Sequence, residues 1–473
     1  MKIIRYAFLI VIFLMLLGNY IQAQTVTRDQ FLDQLKQSHP LFEKERLTSE
    51  IEKEEQKGFL GKRDWNFNSS LFYSHEEPSF AVMGPEKTDA IVINGGLEKM
   101  FWNSGGRFSV AYSGSYIDLS IDPMLGIPGS YFENKLAMTY THPLIKNKNG
   151  FLNKLEYNLK QFDIDLSEII ALENQENFLA GQASRFLDWV FFLEQMRIIE
   201  QRLNLSEEML VNIREKRKAN LIDEVDLIRA EDAVRISEQN LLLIETNLNA
   251  LKAELAELTR DAKYKNIYPE YDLYTNEEIP SLEEATNQLR QNARLLKTFQ
   301  LSITKLKYVR EGYLGIRKAD LSAIAQLSLK NADEDYGGSL AMDRPDALIG
   351  LQLSYPIGHS TAKSKISQTG YQLMQLEKQY EEVSLSLTSA LANFHTQIVE
   401  MKAVLLLNRE QIESSKRKTE EEIKLYNQGR GDLTFVIQSR DSEQGAKLNY
   451  AANALSYHKL LLQYRSLMDQ IIN

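Results

Sequence analysis

The stretch LYNQGRGDLTFVIQSRD, residues 425–441, aligns without a gap with an earlier stretch, KRKANLIDEVDLIRAED, residues 216–232. Asn220 aligns with Gly429, and Asp223 aligns with Asp432. In each copy a helical pattern stops briefly and restarts after an acidic residue, as at the N-cap of a returning helix. The chain therefore contains an internal repeat in which two long helices each turn back.

Long helices account for most of the remaining pattern. Apolar residues recur at spacings of three and four residues, which is typical of an amphipathic helix. Proline is absent from residues 144–268 and after Pro356. A helix over residues 146–219 would have about 74 residues and a length of about 110 Å. We expect two such helices, each lying beside two shorter ones that stack end to end. The expected helices cover residues 27–59, 146–219, 224–258, 281–313, 360–428 and 433–468.

Strand-like segments with a period of two precede each long helix. In residues 346–356, Ile349, Leu351 and Leu353 alternate with small and polar residues. Strands of about 9–11 residues can cross a bilayer at a tilt. A soluble β-sandwich with one wet face fits this strand pattern equally well. Four strands are expected, at residues 65–73, 136–141, 321–329 and 346–356.

A further pair of segments, residues 90–99 and 107–117, is joined by FWNSGG. The sequence leaves open whether this pair adds strands to a barrel or decorates a loop. The polar stretches 75–89 and 331–346 are typical of exposed extracellular loops. Each half of the chain then reads as helix, strand, loop, strand, long helix, turn and returning helix, which predicts a first structural repeat at 24–280 and a second at 281–473.

The first 23 residues have the pattern of a secretory signal peptide. Lys2 and Arg5 precede an apolar run over residues 7–17, Gly18 breaks the run, and Ala23 is a small residue at a cleavage position. An uncleaved N-terminal anchor is the alternative. Removing this segment changes the formal net charge from −10 to −12. We therefore expect a protein that leaves the cytoplasm.

Composition excludes several classes of function. The chain has no cysteine, which rules out disulfide scaffolds, thiolate metal sites and cysteine nucleophiles. Its formal net charge of −10 argues against a broad nucleic-acid-binding face. The six histidines form neither HExxH nor a two-histidine metal spacing, and no phosphate-binding loop or GxSxG is present. We therefore expect no enzyme activity, no cofactor and no metal.

Four strands cannot close a barrel by themselves, and an open sheet edge is not tolerated in lipid. Closure would require several copies of the chain. The sequence resembles the TolC-like outer-membrane efflux proteins over its whole mature length. The strand-to-helix junctions THPL (141–144) and SYPI (354–357) and the two aligned turns carry the resemblance.

The resemblance implies a mainly α fold with membrane β. Long antiparallel helices would form a periplasmic α-barrel, joined to a transmembrane β-barrel that three chains share with four strands each. It also implies a homotrimer in the outer membrane that works with a periplasmic adaptor and an inner-membrane transporter in efflux or type I secretion. A soluble periplasmic coiled-coil adaptor or scaffold is the alternative.

The resemblance also assigns site residues at the turns. Asp226, Tyr426 and Arg430 match a network that holds the periplasmic tip closed, although the arginine of the family would fall one position later, at Gly431. The remaining turn residues would dock the adaptor; helix capping is the alternative role for Asp223, Asp226 and Asp432. The docking residues are Asn220, Asp223, Gly429, Gly431 and Asp432.

Overall fold

A computed structural model describes residues 25–79, 84–121, 126 and 128–472. The predicted signal peptide lies outside these residues, as does part of the first predicted loop. Within the described residues, none of the helices has the combination of length and apolarity that a bilayer crossing needs. The helices are α1 (Arg28–Ser38), α2 (Pro40–Gly58), α3 (Phe151–Lys218), α4 (Glu224–Thr259), α5 (Leu282–Asn292), α6 (Arg294–Ile316), α7 (Tyr336–Ser339), α8 (Ser360–Asn427) and α9 (Leu433–Leu467).

The two predicted long helices and their returning partners are confirmed. α3 and α8 each have 68 residues, and α4 and α9 begin one residue after the aligned acidic residues Asp223 and Asp432. The aligned turns therefore separate each long helix from its returning partner.

The predicted helices over residues 27–59 and 281–313 are each broken once. His39 takes an extended conformation between α1 and α2, because the proline at position 40 disfavours a helical residue before it. Ala293 separates α5 from α6, and the backbone N–H of Arg294 donates to Oδ2 of Asp469 at 2.7 Å. This carboxylate satisfies one of the free N–H groups at the start of α6.

The sheet is larger than predicted, with six strands where four were expected. Its strands pair in chain order and every neighbouring pair is antiparallel, so residues 90–99 and 107–117 belong to the sheet and do not decorate a loop. A separate short pair, β1 (Thr25–Thr27) and β6 (Tyr268–Glu270), is parallel. The six strands are β2 (Trp65–Glu76), β3 (Lys87–Met100), β4 (Arg107–Ser120), β5 (Ser130–Pro143), β7 (Asp320–Asp333) and β8 (Arg344–Ser354).

The two faces of the sheet differ in chemistry because side chains alternate along each strand. One row across all six strands is apolar, and the neighbouring row on the opposite face is polar in five of six positions. The apolar row contains Phe67, Leu97, Val110, Met138, Leu327 and Ala347. The polar row contains Asn66, Glu98, Ser109, Thr139 and Gln326, followed by Leu348.

The described chain divides into two compact units. The sheet unit consists of the described residues within Thr48–Ile169 and Thr298–Glu381, and the helical unit consists of those within Met1–Leu47, Ile170–Lys297 and Glu382–Asn473. In the helical unit an aromatic cluster is buried around Phe186, whose ring centroid lies 5.7 Å from that of Phe31 and 6.0 Å from that of Trp189. This cluster attaches α1 to the long helix α3.

A second buried group in the helical unit is His458 on α9. Its Nε2 faces the carbonyl oxygen of Leu273 at 3.0 Å, and its Nδ1 lies 2.9 Å from the hydroxyl of Tyr271. A carbonyl can only accept, so Nε2 carries the proton and Nδ1 accepts from the tyrosine. Burial lowers the pKa of His458, which therefore stays neutral in the folded protein.

We expect the helical unit to lose stability as the pH falls below about 6.5, the pKa of an unfolded histidine. Below that pH the unfolded chain binds a proton that folded His458 resists, so stability present above it is lost. Urea unfolding followed by circular dichroism between pH 7.5 and 5 measures this, with His458→Gln as the comparison. An equally steep pH dependence in the variant would contradict the assignment.

Candidate functional site

The two aligned turns, residues 219–223 and 428–432, have the same backbone geometry. Asn220 has φ 55° and Gly429 has φ 71°, the left-handed conformation that ends many helices. The N–H of Asn220 donates to the oxygen of Arg217 at 2.9 Å, and the N–H of Gly429 donates to the oxygen of Tyr426 at 3.0 Å. Asparagine and glycine tolerate positive φ, which explains why these two residue types occupy the aligned positions.

Asp223 and Asp432 both stand at the N-cap of the returning helix, but only Asp432 caps it through its side chain. Oδ1 of Asp432 accepts from the N–H of Thr434 at 2.7 Å, and this bonding to Thr434 lowers the pKa of Asp432. Asp223 has an extended backbone and no side-chain cap bond. Its carboxylate is therefore not committed to the helix end.

Gly431 sits too close to the end of α8 to carry a side chain. A Cβ there would lie 2.9 Å from the backbone nitrogen of Tyr426 and 3.2 Å from the carbonyl carbon of Leu425. Any side chain at position 431, including the arginine that the resemblance would place there, would therefore force the turn to shift. Arg430 is exposed, and within the described part of the chain its side chain has no hydrogen bond or ion pair.

A different arginine, Arg229 on α4, links that helix to the second turn. Its Nη1 lies 3.1 Å from Oδ1 of Asp226, one turn earlier on the helix, and 4.0 Å from Oδ1 of Asp432 at the second turn. Arg229 was not predicted as a site residue from the sequence. Its spacing of three residues from Asp226 was a usable signal for the first contact, whereas the second contact depends on the fold.

Tyr426 lies at the end of α8 with its ring against the apolar side chains of the turn region. Nζ of Lys216 is 4.2 Å from the ring centroid, a cation–π contact. The hydroxyl is buried without a hydrogen-bond partner among the described residues. Burial raises the pKa of Tyr426, and the nearby charges of Asp226 and Asp432 raise it further, so the hydroxyl stays protonated.

An apolar core holds the ends of α3, α4, α8 and α9 together. Met209, Ile213, Ala230, Leu433 and Val436 are buried in it, and Tyr426 packs against it. Three ion pairs also connect neighbouring helices in this region, two between α3 and α4 and one between α3 and α9. They are Arg214–Glu231 at 3.1 Å, Arg217–Glu224 at 3.0 Å and Arg202–Asp441 at 2.7 Å.

Among the described residues, no group of three or more histidine, aspartate or glutamate side chains is placed to hold a metal ion. Phe435 and Gln438 are exposed on α9, and Gln438 lines a cleft of about 440 Å³ with Arg202 and Arg229. The arrangement combines a packed helical end with a small set of exposed charges that link neighbouring helices.

Comparisons with solved structures place the whole chain among outer-membrane channels in fold. The outer membrane protein VceC from Vibrio cholerae superposes with a TM-score of 0.68 at 9% identity, covering 93% of this chain and 96% of that one. The Campylobacter jejuni CmeC outer membrane channel gives 0.65 at 12% identity, covering 94% and 85%. The open state of the Neisseria gonorrhoeae MtrE outer membrane channel gives 0.65 at 12% identity, covering 93% and 88%.

No family model and no curated relative matches the sequence. At 9–12% identity, the structural matches establish the fold. The chain has the TolC-like fold, with long helices and a β-sheet, as the turns and strand-to-helix junctions predicted. Three of the solved structures that share this fold, CmeC, OprN and MtrE, are outer-membrane channels.

Proposed function

We propose that this protein is an exit duct of the outer membrane, formed by three copies of the chain and extended into the periplasm by its helices. The observation that carries the proposal is the six-stranded sheet, whose apolar face is largely exposed in the single chain. Phe67 and Ile349 on that face are 66% and 89% exposed. Apolar patches of this extent mark a surface that another molecule or a membrane covers.

Lipid is the covering that fits both faces of the sheet. A membrane strand presents apolar side chains to the acyl chains and polar side chains to the water-filled lumen. The apolar row follows this division in all six strands, and the polar row follows it in five of the six. A soluble periplasmic adaptor, the competing proposal, would leave the apolar row in water.

The turns are the proposed meeting point with the rest of an export machine. Asn220, Asp223, Gly429, Gly431 and Asp432 would dock a periplasmic adaptor, which in turn contacts an inner-membrane transporter. The carboxylate of Asp223, which makes no cap bond, and the exposed guanidinium of Arg430 are available for such a contact. The transported solute would be set by the transporter, in a tripartite efflux pump or a type I secretion system.

Fractionation and electrical recording test the duct. We expect the full-length protein in the outer-membrane fraction, as a detergent-stable trimer that conducts ions in planar bilayers. Release as a soluble monomer on osmotic shock would overturn the proposal and favour the adaptor.

We further propose that Asp226, Tyr426 and Arg430, together with Arg229, hold the turn end closed. The double variant Asp226→Ala/Arg229→Ala is expected to raise single-channel conductance or open time. One exposed ion pair contributes about 0–1 kcal/mol. Three such links at about 0.5 kcal/mol each would shift the ratio of open to closed states about tenfold.

Lys424→Ala is the matched control, because Lys424 pairs with Glu421 on α8 at the same i,i+3 spacing and does not join the two turns. Arg430→Ala reports separately on contacts between copies, since Arg430 has no side-chain partner within the described part of its own chain. Unchanged conductance in Asp226→Ala/Arg229→Ala and in Asp226→Ala/Arg430→Ala would reject the closing role.

A further inference from the structure

The sheet contains one more antiparallel pair than a four-stranded chain would, and that pair is fully integrated. β3 is paired with β2 from Lys99 to Thr88 and with β4 along its whole length, from Lys87 to Met100. A loop decoration would not show continuous register with strands on both sides. β3 and β4 therefore add width to the sheet.

The sheet is open, and its two edges are β2 and β8. Both edge strands are exposed at all but one of their positions, whereas the four inner strands are mostly half-buried. Natural edges in water are blunted by proline, bulges or inward charges. β2 has no proline, and the proline of β8 is its second residue, Pro345. Both edge strands therefore present backbone N–H and C=O groups that can pair with a strand of another chain.

A second copy of this chain is the occupant that fits both edges. With six alternating strands, β2 and β8 run in opposite directions, so β8 of one copy can pair antiparallel with β2 of the next. Their lengths are similar, 11 and 12 residues. The apolar residues Leu351 of β8 and Leu71 of β2 would then continue one lipid-facing surface.

We propose that three copies pair edge to edge through β2 and β8 and close a barrel of 18 strands, in place of the 12 that four strands per chain would give. This proposal rests on the three-copy duct proposed above. Barrel diameter grows roughly linearly with strand number, so the bore is about one and a half times as wide and its cross-section about twice as large. Barrels of 16–18 strands leave an aqueous channel, and the polar row of the sheet would line it.

Engineered disulfides test the arrangement, since the chain has no cysteine of its own. Ser70→Cys on β2, on the polar face, is combined with Gln352→Cys or Leu348→Cys on the same face of β8. We expect a ladder of disulfide-linked chains ending at three on non-reducing gels of the outer-membrane protein. Ser70→Cys with Leu351→Cys is the matched control, because these two side chains point to opposite faces and cannot join.

Two engineered cysteine pairs within one chain test directly whether β3 and β4 lie between β2 and β5. Ser70 lies opposite Asn94, so Ser70→Cys/Asn94→Cys should form an internal disulfide. Lys135 of β5 lies in the same row but three strand spacings away, about 14 Å. Ser70→Cys/Lys135→Cys should therefore stay reduced, because a disulfide requires Cα atoms within about 7 Å. In a four-stranded chain with β2 beside β5, that pair would join.

Deletion of residues 87–120 leaves β2, β5, β7 and β8 and preserves their alternation. If this variant assembles, its conductance should fall about twofold and it should exclude smaller polyethylene glycols than the wild type does. The cysteine pairs decide the proposal even if the deletion fails to fold.

The outcomes separate the two proposals. A conducting outer-membrane protein whose Ser70–Lys135 pair oxidises, or whose ladder stops at two chains, overturns the 18-stranded barrel and leaves the duct intact; two sheets of six would close at 12 strands. A protein that neither conducts nor fractionates with the outer membrane overturns the duct itself.

Discussion

Glu176→Ala is expected to lower the free energy of unfolding of the helical unit by about 3 kcal/mol, at the lower end of the cost of breaking a buried ion pair. Glu176 is 1% exposed and lies on α3. Its Oε2 accepts from Nη2 of Arg294 at 2.9 Å, and its Oε1 accepts from the backbone N–H of Ile471 at 2.8 Å. A single carboxylate therefore joins α3, the start of α6 and the C-terminal segment.

The expected decrease in the free energy of unfolding stays at about 3 kcal/mol because Arg294 keeps two other acidic partners. Its Nε lies 2.8 Å from Glu173, and its Nη2 lies 3.3 Å from Asp469. Urea unfolding of the detergent-solubilised protein, followed by helical circular dichroism, measures the change. Glu176→Gln keeps the shape of the side chain and one acceptor oxygen, so its free energy of unfolding should lie between those of the wild type and the alanine variant. Wild-type stability in Glu176→Ala would show that the C-terminal segment is held by other contacts.

Phe186→Ala is expected to cost about 3–5 kcal/mol, the usual range for removing a buried aromatic side chain. Phe186 is fully buried, stacks on Phe31 of α1 and meets Trp189 edge-on. The cavity would open between α1 and α3, so early proteolysis of the N-terminal helix should accompany the lower unfolding midpoint.

Two substitutions calibrate that result. Phe186→Leu fills most of the volume and should cost less than half as much. Leu172→Ala removes an exposed apolar residue from the same helix and should change little. Equal effects of Phe186→Ala and Leu172→Ala would mean that the aromatic cluster does not attach α1.

The helices and turns could be predicted from the sequence because their signals are local. Helical periodicity, the missing prolines and the aligned acidic residues gave the ends of α4 and α9 to within about a residue or two. The breaks at His39 and Ala293 were missed. The first follows from Pro40, and the second depends on the tertiary contact of Arg294 with Asp469.

The strand count was wrong because pairing is not local. β3 and β4 carry Gly95, Gly96 and Gly114, which interrupt the alternation that marks a strand, so their place in the sheet could not be decided. At the turns, the same limit applies to Arg229, whose approach to Asp432 joins residues far apart in the chain. Gly431 could be read from the sequence, but the crowded backbone that leaves no room for a side chain there could not.

The uninterrupted antiparallel order of the sheet also limits how the number of strands per chain could change in evolution. In the proposed edge-to-edge assembly, one additional strand would reverse the direction of an edge strand and prevent its antiparallel pairing with the next copy, so strands would be gained or lost as whole hairpins. In the proposed ring of three copies, each hairpin would add six strands at once. The width of the proposed channel would then change only in discrete steps, while the number of helices in each chain stays the same.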